Sequence, residues 1–299
     1  MKEIKQTSRK QKWSSWIPDI IMAVVLLIVA IIMLYPLLYE IFVSFSDSLQ
    51  FVLHRGILLK PAGFSTLAYS IVLNAEEIWT GFKNTLFVEF FGLIFNLTLT
   101  SFGAYFLTRK NVLWKKPINI MIIVTMYFSG GLIPTYLAVR NYGLNNTMWA
   151  LIIPSAMSTY NLILLRSYFS TIPDSLAESV MMDGGGHFTI LLRIFIPLSK
   201  PGMMVMLLYY AVGHWNSWFS AHIYLRDVTK APLQLVLRNM FEEGSTSLLR
   251  LVNNYSNFDS LQETVKAAMM VVSTLPILCL YPFLQKYFEG GMMIGSLKE

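Results

Sequence analysis

Six long apolar runs constrain this chain more than any other feature of its sequence. They cover about residues 20–43, 82–107, 118–139, 148–169, 202–221 and 267–287. Each run provides the roughly 20 mostly apolar residues that a helix needs to cross the hydrocarbon core of a bilayer. Because the backbone finds no water there, segments of this length and composition span a membrane as helices. The runs predict an all-α polytopic membrane protein with six transmembrane helices, in which residues 1–299 form a single transmembrane domain.

The composition and the positions of the basic residues agree with this class. Hydrophobic residues make up 55% of the chain and charged residues 13%, against about 25% charged residues in soluble domains. The net charge of +6 arises from clusters beside the apolar runs, which argues against a nucleic-acid partner. One cluster begins the chain, and the other is formed by Arg109, Lys110, Lys115 and Lys116. The positive-inside rule then predicts that both termini and the loop of residues 170–201 are cytoplasmic.

That inner loop is polar and broken by glycines, although it lies between two apolar runs. Pro173 is suited to open a helix, and Asp174 or the serine after it can cap the first turn. A short helix over residues 174–182 is predicted, followed by a sharp turn at the glycines 184–186, because glycine accepts a positive φ. A protruding helix of this kind suits docking into the groove of a soluble partner.

The loop resembles the segment by which permease subunits of bacterial ABC importers dock onto their ATPases. The family pattern places a glutamate ahead of an aspartate and a glycine, and later an isoleucine and a proline, as at Glu178, Asp183 and Gly184. Ser179 and Val180 depart from the usual alanine pair. The resemblance implies that the ATPase-coupling residues are Glu178, Ser179, Met182, Asp183, Gly184, Gly185, Gly186 and Pro197.

Two further segments resemble a narrower group within that family. Residues 285–298 look like the C-terminal ending of carbohydrate permeases of the maltose-transporter type. Residues 130–154 resemble the subset that imports complex or acidic oligosaccharides. The chain is therefore similar to a permease subunit of a bacterial binding-protein-dependent carbohydrate ABC importer. The resemblance implies the type I importer permease fold, with a cytoplasmic coupling helix.

The resemblance also implies partners and a location. They are a second homologous permease subunit, two ATPase subunits, an extracellular solute-binding protein and an oligosaccharide substrate, in the bacterial cytoplasmic membrane. The sequence contains no GxxxxGK[ST] segment, which is the usual loop for cradling nucleotide phosphates. We therefore expect a transport subunit that is not an enzyme and holds no cofactor, with ATP and Mg²⁺ bound by the partner ATPases.

Polar and aromatic residues within the spans are candidates for lining the substrate pathway, because burying polar groups against lipid is costly. The candidates are Glu89, Asn96, Tyr136, Asn161, Tyr209, His214, Trp215, Asn216 and Trp218. Ring faces and amides suit sugars, but the tryptophans also fit an aromatic belt at the membrane interface. Glu89 equally fits a hydrogen bond between helices or a contact with the partner permease.

Two other functions remain open on the sequence alone. The docking segment indicates an ATPase partner but not the transported solute. A permease for a non-sugar solute, such as an amino acid, a peptide or an inorganic anion, therefore fits it equally. An intramembrane enzyme would also be polytopic, but it needs a catalytic pair facing one cavity, and the sequence suggests no catalytic or metal-binding set.

Overall fold

The computed structural model describes residues 3–110, 112–242, 248, 251–252 and 258–296. Within these residues every regular element is a helix, and the β structure is limited to one isolated bridge between Ser46 and Phe64. The prediction of an all-α chain is therefore confirmed.

The helices are numbered here in chain order. They are α1 (Glu3–Ser44), α2 (Ser48–Leu53), α3 (Leu67–Asn74), α4 (Glu76–Thr108), α5 (Lys115–Tyr127), α6 (Leu132–Asn141), α7 (Trp149–Ile152), α8 (Thr159–Phe169), α9 (Asp174–Met182), α10 (His187–Ile190), α11 (Ile196–Leu198), α12 (Lys200–Trp215), α13 (Phe219–Tyr224), α14 (Leu233–Phe241) and α15 (Phe258–Ser296). A π-helical segment, Leu191–Phe195, joins α10 to α11, and a 3-10 turn, Val228–Lys230, precedes α14.

The chain packs as two compact units. The first contains Met1–Asn74 and Leu249–Val272, and the second contains Ala75–Leu248 and Ser273–Glu299. The single transmembrane domain over residues 1–299 stays a prediction.

The first unit is built on α1 and the beginning of α15. Most of the apolar side chains of α1 between Ile20 and Leu38 are exposed, as expected for a helix that faces lipid. The described core of this unit joins Val43 to Leu58 and Ala267. On α15 the residues Leu261, Val265 and Met269 are all buried, so one face of this helix packs inward as it leads into the last apolar run.

The second unit is organised around α4, a single helix of 33 residues. It packs against α7, α8, α12 and α14. Two adjacent side chains of α4 hold the chain that leads into α14. Asn84 Nδ2 donates to the carbonyls of Thr229 and Ala231, at 2.7 and 3.0 Å. The backbone N–H of Leu233 donates to Thr85 Oγ1 at 2.8 Å.

Two of the predicted spans are not single helices. Residues 118–139 are divided between α5 and α6, which meet at 115°, and Gly131 lies between them with a φ of +88°. Residues 148–169 are divided between α7 and α8, because Pro154 has no N–H to continue the first helix. Both runs are apolar enough on average to be predicted as single spans, so hydropathy alone did not indicate these breaks.

Three helical segments are long and apolar enough to cross a membrane: Pro18–Ser44, Glu76–Thr108 and Ser260–Leu280. Two bent pairs raise this number to five if each pair is one span; they are α5 with α6, and His187–Leu198 with Lys200–Trp215, bent by 85°. Within the described residues the structure thus supports three to five spans, and the sixth, residues 148–169, stays a prediction.

We expect Thr85→Val to destabilise the second unit. The substitution keeps the shape of the side chain but leaves the buried N–H of Leu233 without its acceptor, which typically costs about 1–3 kcal/mol. The midpoint of thermal unfolding in detergent should fall for Thr85→Val and stay close to the wild-type value for Thr85→Ser, which retains the hydroxyl. Equal midpoints for the two variants would show that this bond is not stabilising.

Candidate functional site

The predicted docking helix is present as α9, with the bounds Asp174–Met182. Pro173 precedes it in extended conformation and Asp174 lies in its first turn, where a negative charge is stabilised by the helix dipole. Only Ala177 of this helix is buried. Glu178, Ser179 and Met182 are exposed, Met182 by 88%. The helix therefore presents most of its surface for contact with another protein.

The glycines after α9 form a tight helix end. The N–H of Gly184 donates to the Met181 carbonyl at 3.0 Å, and the N–H of Gly185 donates to the Val180 carbonyl at 2.8 Å, which is the Schellman pattern. Gly184 has a φ of +80°, a region that other residues seldom adopt. A Cβ on Gly185 would lie 2.5 Å from Val180 Cγ1, whereas Gly186 has open space around it. Two of the three glycines are thus required by the backbone.

The return to the membrane is bent and partly π-helical. The N–H of Ile196 donates to the Leu191 carbonyl, five residues back, and Pro197 follows as an exposed residue without an N–H. The inner side of this segment is apolar, with Ile190, Leu191 and Phe195 in the same buried cluster as Ala177 of α9. The docking helix is therefore anchored from beneath by the segment that follows it.

A charge pair ties α9 to the end of α4. Lys110 Nζ lies 2.7 Å from Asp174 Oδ2, and Arg109 Nη2 lies 3.8 Å from Asp174 Oδ1. The hydrogen bond and the charge of Lys110 lower the pKa of Asp174. The hydrogen bond and the charge of Asp174 in turn raise the pKa of Lys110. Arg109 also stacks over the rings of Tyr105 and Phe195, at 5.0 and 4.6 Å.

In the sequence, Arg109 and Lys110 indicated only the orientation in the membrane, and their contact with Asp174 was not predicted. The one available cue was Asp174, an acidic residue in the first turn of the predicted helix. A cavity of about 720 Å³ lies beside the pair. It is lined by Phe102, Tyr105, Phe106, Arg109, Lys110, Val112, Asp174, Ala177, Glu178, Met181 and His187.

Further along α4, Asn96 is the centre of a buried polar link between three elements. Its Nδ2 donates to the Ser155 carbonyl at 2.7 Å, and the Nε2–H of His214 donates to its Oδ1 at 2.6 Å. Asn96 and His214 are both buried. The link joins α4 to α12 and to the break between α7 and α8.

One turn along α4, a second link has the same arrangement. Thr100 Oγ1 and the hydroxyl of Tyr210 lie 2.7 Å apart. The backbone N–H of Ser158, at the start of α8, donates to that same hydroxyl at 3.0 Å. The two links together hold the broken segment between α7 and α8 against α4 and α12.

A polar cavity of about 550 Å³ opens beside these links. It is lined by Leu151, Ser155, Met157, Ser158, Tyr160, Asn161, Tyr209, Tyr210, Gly213, His214, Ser217 and Ser220. Three predicted pathway residues, Asn161, Tyr209 and His214, meet here. Tyr160, Tyr210, Ser217 and Ser220 were missed, because hydroxyl-bearing residues within apolar runs give no distinctive sequence signal. We call this space the transport cavity, a name that refers only to the three predicted pathway residues that line it.

The other pathway candidates lie elsewhere. Trp215 is buried, donates from Nε1 to the Ser273 carbonyl at 3.1 Å and packs edge-on against Phe82. Asn216 Nδ2 donates to the carbonyl of Val212, four residues earlier in the chain, at 2.9 Å.

The remaining three candidates also lie outside the lining of the transport cavity. Trp218 stacks on Arg238 at 4.5 Å. Tyr136 stacks on Tyr224, with ring centres 6.2 Å apart. Glu89 has a buried Oε2 without a hydrogen-bond partner among the described residues.

Comparison with known proteins places this geometry in a family. No protein-family model matches the chain. The polygalacturonan/rhamnogalacturonan transport system permease protein YtcP of Bacillus subtilis (strain 168) is 36% identical over 91% of this chain and 95% of its own length.

The chain also matches chains of solved transporter structures. A chain from the crystal structure of a bacterial ABC transporter involved in the import of the acidic polysaccharide alginate matches with a TM-score of 0.85 and 33% identity, over 92% of this chain and 98% of its own. A chain from the bacterial alginate ABC transporter in complex with alginate pentasaccharide-bound periplasmic protein matches with a TM-score of 0.52 and 15% identity, over 88% of this chain and 92% of its own, and shares the fold. The chain belongs to the family of carbohydrate ABC transporter permeases.

Proposed function

We propose that this chain passes an oligosaccharide through the transport cavity by alternating access, driven by ATPase subunits that dock onto α9. The observation that carries the proposal is one continuous chain of contacts. It runs from exposed α9, through the Asp174–Lys110 pair, to α4 and on to the Asn96–His214 link beside the cavity. The family assignment favours this function over an intramembrane enzyme.

The lining of the transport cavity suits a sugar. Tyr160 and Tyr209 are about half exposed, with ring centres 6.1 Å apart, and aromatic rings of this kind offer flat apolar faces for sugar C–H groups. Asn161, Ser217 and Ser220 add amide and hydroxyl groups that exchange hydrogen bonds with sugar hydroxyls. The relatives named for polygalacturonan, rhamnogalacturonan and alginate support an oligosaccharide cargo.

The ATPase contact is proposed for the exposed surface of α9 and its glycine turn. Glu178, Ser179, Met182, Asp183 and the glycines 184–186 would enter a groove of the ATPase as a preformed helix and turn, the helix-in-groove mode. Pro197 shapes the return segment rather than the contact itself. ATP and Mg²⁺ would be bound by the ATPase, since the sequence has no loop of its own for nucleotide phosphates.

Mechanical coupling would run through α4. Its last residue, Thr108, lies about 18 Å along the helix axis from Asn96, at about 1.5 Å per residue. When ATP draws the ATPases together, α9 moves with them and carries the end of α4 through Asp174 and Lys110. The links at Asn96 and Thr100 then transmit that movement to the walls of the transport cavity. This is alternating access around a central site.

The remaining assembly follows from the family. We propose a second homologous permease subunit, two ATPase subunits and an extracellular solute-binding protein, the last supported by the periplasmic protein in the alginate transporter complex. The bacterial cytoplasmic membrane is the proposed location, with both termini cytoplasmic, as the basic clusters favour. The unpartnered oxygen of Glu89 suits a contact with the second permease. The tail of residues 285–298 is a further candidate for ATPase contact, although its side chains lie outside the described residues.

Gly184→Val should uncouple transport from ATP hydrolysis. A β-branched residue at a positive φ is strained by about 1–2 kcal/mol or more, so the end of α9 should shift. In reconstituted vesicles, ATP hydrolysis stimulated by loaded binding protein should be lost, while membrane insertion persists. Gly130→Ala is the control, because Gly130 lies outside the docking segment, has no positive φ and has no atom within 4 Å of an added Cβ. Full stimulation in Gly184→Val would contradict the docking role.

Lys110→Met should weaken coupling without abolishing it, because Arg109 remains near Asp174. The lowered pKa of Asp174 keeps its carboxylate charged above its ordinary pKa, and the pair is lost only as the pH falls through the lowered value. We therefore expect the same deficit at pH 6 and pH 8, measured as sugar transported per ATP hydrolysed. Lys200→Met, which removes an exposed lysine without a carboxylate partner among the described residues, should leave this ratio unchanged. Equal ratios for both variants would exclude the tether.

Tyr209→Ala should slow oligosaccharide uptake with little effect on basal ATP hydrolysis. Removing one stacking ring typically costs about 0.5–1.5 kcal/mol, which corresponds to a reduction of roughly two- to tenfold. Uptake of labelled oligogalacturonates and alginate oligosaccharides by vesicles with the binding protein gives the measurement. Tyr142→Ala, an 82% exposed tyrosine outside the cavity, is the control. If both tyrosine variants transport equally well, the sugar takes another path.

A further inference from the structure

A second groove with a strongly basic lining lies between α5 and α8, next to the end of α4. It has a volume of about 640 Å³. The residues that line it are Lys110, Val112, Trp114, Lys115, Lys116, Pro117, Asn119 and Arg166. Four of these side chains are cations and none is acidic. We call this space the basic groove.

Three of the four cations keep their charge uncompensated. Lys110 is paired with Asp174. Lys115 Nζ donates to the carbonyl of Arg109 at 2.6 Å, and Arg166 Nη1 donates to Asn119 Oδ1 at 2.8 Å. These bonds to neutral oxygens orient the two side chains but leave their charge in place. Among the described residues, no carboxylate lies within 4.0 Å of Lys115, Lys116 or Arg166. The basic groove therefore attracts an anion.

The surface next to the groove is the kind that faces lipid. Leu113 is 81% exposed and Trp114 is 69% exposed, directly before α5. Ile120 and Met121 on α5 are exposed as well, and no residue of this helix is buried. Tryptophan is enriched where membrane proteins cross the headgroup region. The basic groove thus adjoins an exposed apolar surface, and the tryptophan beside it is of the type enriched at the headgroup level.

We infer that the basic groove binds the phosphate headgroup of an anionic phospholipid, whose acyl chains lie along the exposed apolar side of α5. Free phosphate has the same charge, but it would gain nothing from Leu113, Ile120 and Met121. Basic pockets between transmembrane helices are known to hold anionic headgroups. The inference rests on the chain spanning a membrane and not on the proposed cargo or orientation.

Native mass spectrometry of the purified permease complex, titrated with phosphatidylglycerol, tests this site. Each cation near an anionic headgroup contributes roughly a fivefold change in binding. We expect Lys116→Gln to weaken retention of one lipid about fivefold, and the pair Lys116→Gln with Arg166→Gln about 25-fold. The single variant leaves the Arg166–Asn119 bond intact, so it separates lost charge from lost folding.

The matched control is Arg193→Gln with Lys200→Gln, which removes the same charge from two exposed cations outside the groove. Its lipid retention should stay close to that of the wild type. Equal losses in both double variants would overturn the site, as would equal retention of phosphatidylcholine. Displacement of the lipid by inorganic phosphate at the same concentration would show an anion site without lipid character. Retention of the lipid by the permease subunits alone but not by the complex that includes the ATPase subunits would assign the groove to the ATPase instead.

Discussion

Where a helix is interrupted inside a membrane, the backbone N–H and C=O groups at the interruption need other hydrogen-bond partners. In the second unit, α4 and its neighbours supply these partners. An unsatisfied N–H or C=O in hydrocarbon costs several kcal/mol. Asn84 and Thr85 bond the backbone that leads into α14, and Asn96 bonds the carbonyl of Ser155 in the break between α7 and α8. Tyr210, held by Thr100, accepts from the first N–H after that break. The polar residues of an otherwise apolar helix thus stabilise its interrupted neighbours.

This requirement also accounts for the position of the transport cavity. Irregular backbone is tolerated at membrane depth where it is buried in protein or lines a cavity. Ser155, Met157 and Ser158 belong to the break between α7 and α8, and all three line the cavity. Asn96 and Tyr210 satisfy backbone groups of this break. A cavity therefore forms where the helix is interrupted, and hydroxyl and amide side chains line it together with the irregular backbone.

The sequence predicted those features that depend on neighbours along the chain. Pro173 and the glycines after Met182 mark the ends of α9, and the observed helix has the predicted bounds. Residues 118–139 were different, because an apolar run gives the same hydropathy whether it is straight or bent at a glycine. Contacts between residues far apart in the sequence could not be predicted from hydropathy either. Trp215 was a pathway candidate in the sequence, but only the fold shows that its Nε1–H bonds the carbonyl of Ser273, 58 residues away, and that its side chain is buried.

The hydrogen-bond partners of Asn96 could not be predicted from the sequence either. The sequence marked Asn96 as a candidate for the substrate pathway, and the structure shows that its side chain bonds Ser155 and His214 beside a cavity. Its bond to His214 spans 118 positions of sequence. Periodicity along α4 places Asn96 on a face of the helix, but only the fold brings His214 to that face.

The contrast between an unbroken α4 and its interrupted neighbours fits the proposed mechanism. A helix of 33 residues with its backbone bonded throughout transmits displacement at one end to its middle with little internal loss. The elements around it are bent by 115° between α5 and α6 and by 85° at Ser199. Bends at glycine and proline have fewer backbone bonds to break when their angle changes. In the proposed cycle, α9 therefore displaces the end of α4, and α4 passes this displacement to the cavity walls. The interrupted elements change their bend angles, so that the cavity opens to alternate sides.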